Sequence, residues 1–122
     1  MTDQEHKKTG FIKRDLLKKM QITLNNYQTY IMEALKQAYS TKFMECSQKN
    51  KSQIESTKCQ DILNQRLEQS FKYISQGDQP LMSEFKECVK QSKSEEEMNI
   101  CFNQMMQAKD DNLEKARNSL LQ

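Results

Sequence analysis

The residues of this chain best suited to chemistry are its four cysteines, and they come in two copies of one pattern. Phe43-Met44-Glu45-Cys46, twelve residues and Cys59 return 42 positions later as Phe85-Lys86-Glu87-Cys88, twelve residues and Cys101. Within the copies Lys51-Ser52 matches Lys93-Ser94 and Glu55 matches Glu97. A repeat at a fixed period names a structural unit. Cysteines so placed could form disulfides, bind zinc, act as a redox couple or remain buried thiols. Zinc ligands come at spacings of about two to four residues, and the single histidine, His6, lies in a polar tail, so no metal site is expected. Catalytic dithiols sit as Cys-x-x-Cys at helix N-termini, which this spacing does not reproduce.

Four cysteines allow three connectivities. On one unbroken helix, cysteines thirteen positions apart would lie roughly 20 Å apart along the axis and about 140° apart around it. A disulfide needs Cα atoms within about 7 Å, so a helix must break between any pair that bonds locally. Each copy carries such a break. Ser52-Gln53-Ile54-Glu55 and Ser94-Glu95-Glu96-Glu97 are capping boxes, in which the serine hydroxyl takes an amide of the first turn and the glutamate reaches back. Cys46 and Cys59, and likewise Cys88 and Cys101, flank these boxes almost symmetrically, as an antiparallel hairpin requires. Local pairing, Cys46–Cys59 and Cys88–Cys101, ranks above the nested pairing Cys46–Cys101 with Cys59–Cys88, and crossed pairing ranks last. Four free thiols are the competing state.

The elements that position the cysteines read as helices throughout. The chain has 122 residues, with only Gly10, Gly77 and Pro80 as breakers, and is rich in helix formers. Residues 1–10 read as a polar, disordered tail without an apolar segment of signal-peptide type. Residues 11–122 read as a single all-α domain holding two tandem repeats, about 39–76 and 81–121. From Phe11 to about Cys46 an apolar stripe, Leu16, Met20, Leu24, Tyr27, Ile31 and Leu35, recurs at steps of three and four. That helix is longer than so small a domain requires. The stripe is a candidate interface for another protein, with packing against the chain's own helices as the alternative. A second helix starts at Ser52 and is expected to end at Gly77, Pro80 to open a third, and Ser94 a fourth. The result is a long helix followed by two disulfide-stapled hairpins.

The net charge is +2 with both signs interspersed, which argues against a nucleic-acid footprint. No run of about 18 apolar residues is present, so no helix is expected to span a membrane. No catalytic constellation or phosphate-binding glycine loop appears, and no cofactor is expected. The carboxylates Glu95, Glu96 and Glu97, and Asp110 and Asp111, read as solvated helix surface, the first three complementing a helix dipole. Met20, Met32, Met44, Met82, Met98, Met105 and Met106 are either adaptable binding surface or core filling.

Helical hairpins stapled by paired cysteines, without a presequence, resemble the twin-cysteine proteins of the mitochondrial intermembrane space: the coiled-coil-helix-coiled-coil-helix proteins and the small Tim chaperones. The resemblance covers about residues 39–110. The twin-cysteine helical proteins have a shorter gap between cysteines. The small Tim proteins carry an outer cysteine pair that is missing here, with Lys42 and Leu63 in its place in the first copy and Glu84 and Met105 in the second. The resemblance implies oxidative folding in the intermembrane space. It also implies a non-enzymatic role, as an accessory subunit bound to protein subunits of an inner-membrane, respiratory-chain complex, or as a carrier of hydrophobic precursors. A cytosolic helical adaptor with free thiols is the third reading.

Overall fold

The computed structural model describes residues 12–49 and 52–121. The tail at residues 1–10 lies outside them. The described chain is all-helical, in three elements: α1, Lys13–Lys49; α2, Gln53–Gln91; and α3, Glu95–Leu121. At 1.5 Å per residue α1 and α2 extend roughly 55–60 Å and α3 about 40 Å.

Both serine caps are in place. Ser52 is extended, with φ −117° and ψ 153°, and its hydroxyl accepts from the Glu55 amide at 3.1 Å. Ser94 accepts from the Glu97 amide at 3.1 Å, and the Glu97 carboxylate reaches back to the Lys93 amide. These caps satisfy donors that a helix start leaves without partners. They separate α1 from α2 and α2 from α3, so the chain turns back on itself twice.

Disulfides close both turns. Cys46 bonds Cys59 with Cα atoms 5.6 Å apart, and Cys88 bonds Cys101 at 5.8 Å. At the first turn the Ser56 hydroxyl also donates to the Cys46 carbonyl at 3.4 Å. At the second, Ser92 caps the end of α2. Its hydroxyl donates to the Cys88 carbonyl at 2.8 Å and lies 3.4 Å from the Cys101 sulfur.

The expected break at Gly77–Pro80 is absent, and α2 runs through both residues. There are therefore three helices rather than four, and the two hairpins share α2. A proline in a helix interior forfeits one backbone hydrogen bond, here the one to the Gln76 carbonyl, and costs roughly 3 kcal/mol. Gln76 and Pro80 are exposed, which leaves that carbonyl open to water. On either side of them α2 is fastened by packing: Ile74 and Leu67 against one apolar cluster, Leu81 and Phe85 in the other. Gly77 serves close approach instead of capping. A Cβ there would lie 2.8 Å from Cγ of Asn112 on α3.

The core is two clusters in series. Met20 and Leu24 of α1 meet Phe85, Val89, Met98, Cys101 and Met105 at the Cys88–Cys101 end. Ile31 and Leu35 meet Leu63, Leu113, Ala116 and Leu120 further along. Between the clusters lies a polar layer. The Tyr27 hydroxyl donates to the Asp110 carboxylate, and Lys109, 2 % exposed, pairs with Asp78 at 3.0 Å. Beside the second cluster, fully buried Ser70 donates towards the Ala116 carbonyl at 2.7 Å and lies 2.9 Å from the Arg66 carbonyl. These contacts pair particular positions of one helix with particular positions of the next, so they fix register where apolar packing alone would tolerate sliding.

The stripe on the first helix thus has a destination. Met20, Leu24, Ile31 and Leu35 are buried against α2 and α3, and Leu16 and Tyr27 pack beside them. Apolar area of this kind is worth most where water is fully excluded, and the chain supplies that exclusion itself. The stripe is core rather than an interface for another protein. Most of the described methionines follow it: Met20, Met98 and Met105 are buried, Met82 and Met106 pack on the first cluster, and among the described residues only Met32 and Met44 are exposed.

Tyr27 carries a pH-dependent prediction. Burial pushes its phenol above the ordinary value of 10.0, and the hydrogen bond to Asp110 and that carboxylate's charge push it further. The folded state therefore holds this proton more tightly than the unfolded chain does. Its contribution is complete below the unfolded pKa and is lost as pH rises beyond about 10. Tyr27→Phe is expected to cost about 1 kcal/mol at neutral pH and to flatten the alkaline decline, read by urea unfolding across pH 8–11. An unchanged alkaline slope would remove Tyr27 as its source.

Candidate interaction surface at the Cys46–Cys59 end

Unequal helix lengths create this surface. α3 is 12 residues shorter than α2, or roughly 18 Å. Since α3 starts beside the Cys88–Cys101 turn, it runs out before reaching the other one. Its last residues, Arg117 and Leu121, come level with Ala38 and Thr41 of α1. Beyond that point α1 and α2 continue as a pair to the Cys46–Cys59 turn, and among the described residues no third helix covers them.

Side chains and a disulfide tie the pair together. The Tyr39 hydroxyl donates to the Asn64 side-chain oxygen at 2.6 Å, and the Tyr39 ring lies 5.8 Å from that of Phe43. The disulfide fixes the tip. A cavity of about 510 Å³ opens between the helices, with the Cys46–Cys59 bridge, Ile62 and Leu63 as its apolar part. Leu63 belongs both to this cavity and to the cluster beneath Leu120, so the groove begins where α3 stops. Ile62 is 49 % exposed, and around the same end Ile54 is 70 % and Met44 56 % exposed. Of these only Ile62 lines the groove, and an exposed apolar side chain beside a disulfide-floored channel makes the groove a candidate interaction site.

The rim is charged. Lys42, Lys49, Lys58 and Arg66 line the groove, with Glu45 and Glu55 among them. Glu45 lies between Lys42 at 3.4 Å and Lys49 at 3.9 Å. Such exposed pairs contribute little stability, so all three side chains remain available to a partner. A larger depression of about 890 Å³ flanks the end of α3, but small and polar residues such as Ala34, Ser40 and Thr41 dominate its lining.

The opposite turn is unlike this one. Cys101 is buried beside Phe85, Met98 and Met105, and the depression there is only about 100 Å³. The Phe85 and Phe102 rings meet edge-on at 6.0 Å. Cys46 is buried as well, at 4 % exposure, but it belongs to neither apolar cluster, so one disulfide staples the three-helix core and the other staples the two-helix tip.

No family model, curated protein or solved structure matches this chain.

Glu95, Glu96 and Glu97 occupy the first turn of α3 and are exposed. Asp110 is taken up by Tyr27, and Asp111 accepts from Gln107 at 3.4 Å. Among the described residues no group of three His, Cys, Asp or Glu side chains could hold a metal, and no helix is long and apolar enough to cross a membrane. The Lys109–Asp78 pair has a signal in the sequence. Lys109 falls four residues after Met105 and four before Leu113, on the buried side of α3, where a lysine calls for a partner.

Proposed function

We propose that this protein is a non-catalytic accessory subunit that docks onto a larger assembly through its Cys46–Cys59 end. The observation carrying this reading is the disulfide-fixed pair of helices left uncovered beyond α3, with its groove and the exposed Ile62 that lines it. The twin-cysteine resemblance supplies the finer assignment, to an inner-membrane respiratory-chain complex on the intermembrane-space side. Two disulfides in a chain of this size suit an oxidising compartment. A carrier of hydrophobic precursors calls for adaptable apolar surface, whereas most methionines of this chain are spent inside it.

Native electrophoresis of gently solubilised mitochondria from cells expressing the tagged protein tests the reading. The protein is expected to co-migrate at fixed stoichiometry with one large complex. The double variant Ile54→Asp, Ile62→Asp should migrate alone while keeping wild-type helicity, because both side chains lie outside the core. A wild-type protein that migrates alone, or resides outside mitochondria, sinks the assignment.

A further inference from the structure

We infer that the groove between α1 and α2 receives a single amphipathic helix of a partner chain, with an apolar seam and acidic flanks. The inference rests on the docking role proposed above and names the chemistry of the partner.

Geometry sets the class of ligand. The groove continues the line of α3, because Leu63 contributes both to the cluster beneath Leu120 and to the groove. An incoming helix would lie on α1 and α2 as α3 does, completing a three-helix layer for two to three turns. The uncovered stretch of α1 from Lys42 to Lys49 is about 12 Å long, which suits such a segment. The apolar part of the groove, Ile62, Leu63 and the disulfide, takes one stripe of side chains spaced three and four apart.

Charge sets its sign. Three lysines line the groove against two carboxylates, and Glu45 is already shared between Lys42 and Lys49. Glutamates flanking the incoming stripe would meet Lys58 on one side and Lys42 and Lys49 on the other. A second copy meeting it groove to groove would bring the same net positive sign. A membrane surface is flat and cannot enter a concave channel between two helices.

The probe is a fluorescent peptide of about 14 residues, lactam-bridged to hold it helical, with leucines along one stripe and glutamates on its flanks. Its twin carries lysines in place of the glutamates. Both are titrated into the full-length oxidised protein and read by anisotropy, alongside sedimentation with vesicles of equimolar phosphatidylcholine and phosphatidylglycerol. The acidic peptide is expected to bind at least about ten-fold more tightly than its twin, and to weaken as salt is raised. Lys58→Glu should reduce its affinity by about ten-fold, while Lys86→Glu, exposed on α2 near the far end, should leave it unchanged. Equal binding of the twins, indifference to Lys58→Glu, or binding to vesicles in preference to the peptide overturns the inference. If the wild type co-migrates with a large complex yet discriminates neither peptide, the groove inference fails and the subunit reading stands. If it migrates alone but binds the acidic peptide selectively, the reverse holds.

Discussion

Replacing Cys88 and Cys101 together by alanine is expected to lower global stability by about 3 kcal/mol from loop entropy alone, with a further loss for the sulfur removed from the core. Replacing Cys46 and Cys59 together should cost less overall, although the two bridges span the same 13 positions. The reason lies in what each bridge holds. Cys101 is buried among Phe85, Met98 and Met105, where all three helices meet, so loosening that turn loosens the first core cluster. The Cys46–Cys59 turn lies beyond the end of α3, with only two helices around it. Once that bridge is gone, the tip can fray while both clusters stay folded, and the local free energy of fraying caps the global loss. Urea unfolding measures the global terms. Amide exchange separates the mechanisms: the tip variant should lose protection over residues 42–62 and keep it around Leu24, Leu113 and Ala116. Equal global losses from the two double variants, with protection lost everywhere, would mean that the tip is continuous with the core. For a domain whose net stability is of order 5–15 kcal/mol, the Cys88–Cys101 bridge is a large share.

Much of this architecture was legible locally. Ser52 and Ser94 announce helix starts because a capping box is a short-range device, satisfied within four residues whatever the rest of the chain does. The cysteine spacing is legible for a similar reason: two sulfurs equidistant from a turn meet wherever that turn folds. Gly77 and Pro80 were not legible. Their cost is local, but contacts on both sides of them outweigh it, made by Ile74, Leu81 and Phe85 with residues tens of positions away. A propensity is a weak prior against packing of that extent. The destination of the α1 stripe was ambiguous for a related reason, since Leu24 or Ile31 looks the same facing a partner or facing α3. The groove at the Cys46–Cys59 end was hidden altogether. Four helices in two hairpins have arms of similar length, whereas three helices sharing α2 leave α1 and α2 longer than α3. The exposed tip is a consequence of the break that does not occur at Gly77.

Asp78→Ala is expected to be the most damaging single substitution in the polar layer, at about 3–5 kcal/mol, because it strands a buried ammonium. The Lys109 side chain is 1 % exposed and its nitrogen lies 3.0 Å from Asp78 Oδ2, while the Asp78 side chain is 19 % exposed. That asymmetry dictates the order of effects. Lys109→Met removes the charge, keeps most of the volume and leaves a carboxylate that can still reach water, so its cost should be only about 1 kcal/mol. Combining Asp78→Ala with Lys109→Met should recover most of what Asp78→Ala loses, since a buried pair replaced by apolar groups of similar volume is often nearly neutral. Guanidinium unfolding of the four proteins closes a double-mutant cycle with a coupling of at least about 2 kcal/mol. A Lys109→Met variant less stable than Asp78→Ala would show the lysine acting through its packing instead of its charge. The recovered double variant should then reveal what the pair is for. With Lys109 and Asp78 both apolar, the two core clusters merge into one continuous stripe, and α3 loses a contact that chooses its register against α2. Broadened amide resonances along α3 at nearly wild-type stability are the expected signature, and they would distinguish a pair kept for specificity from one kept for strength.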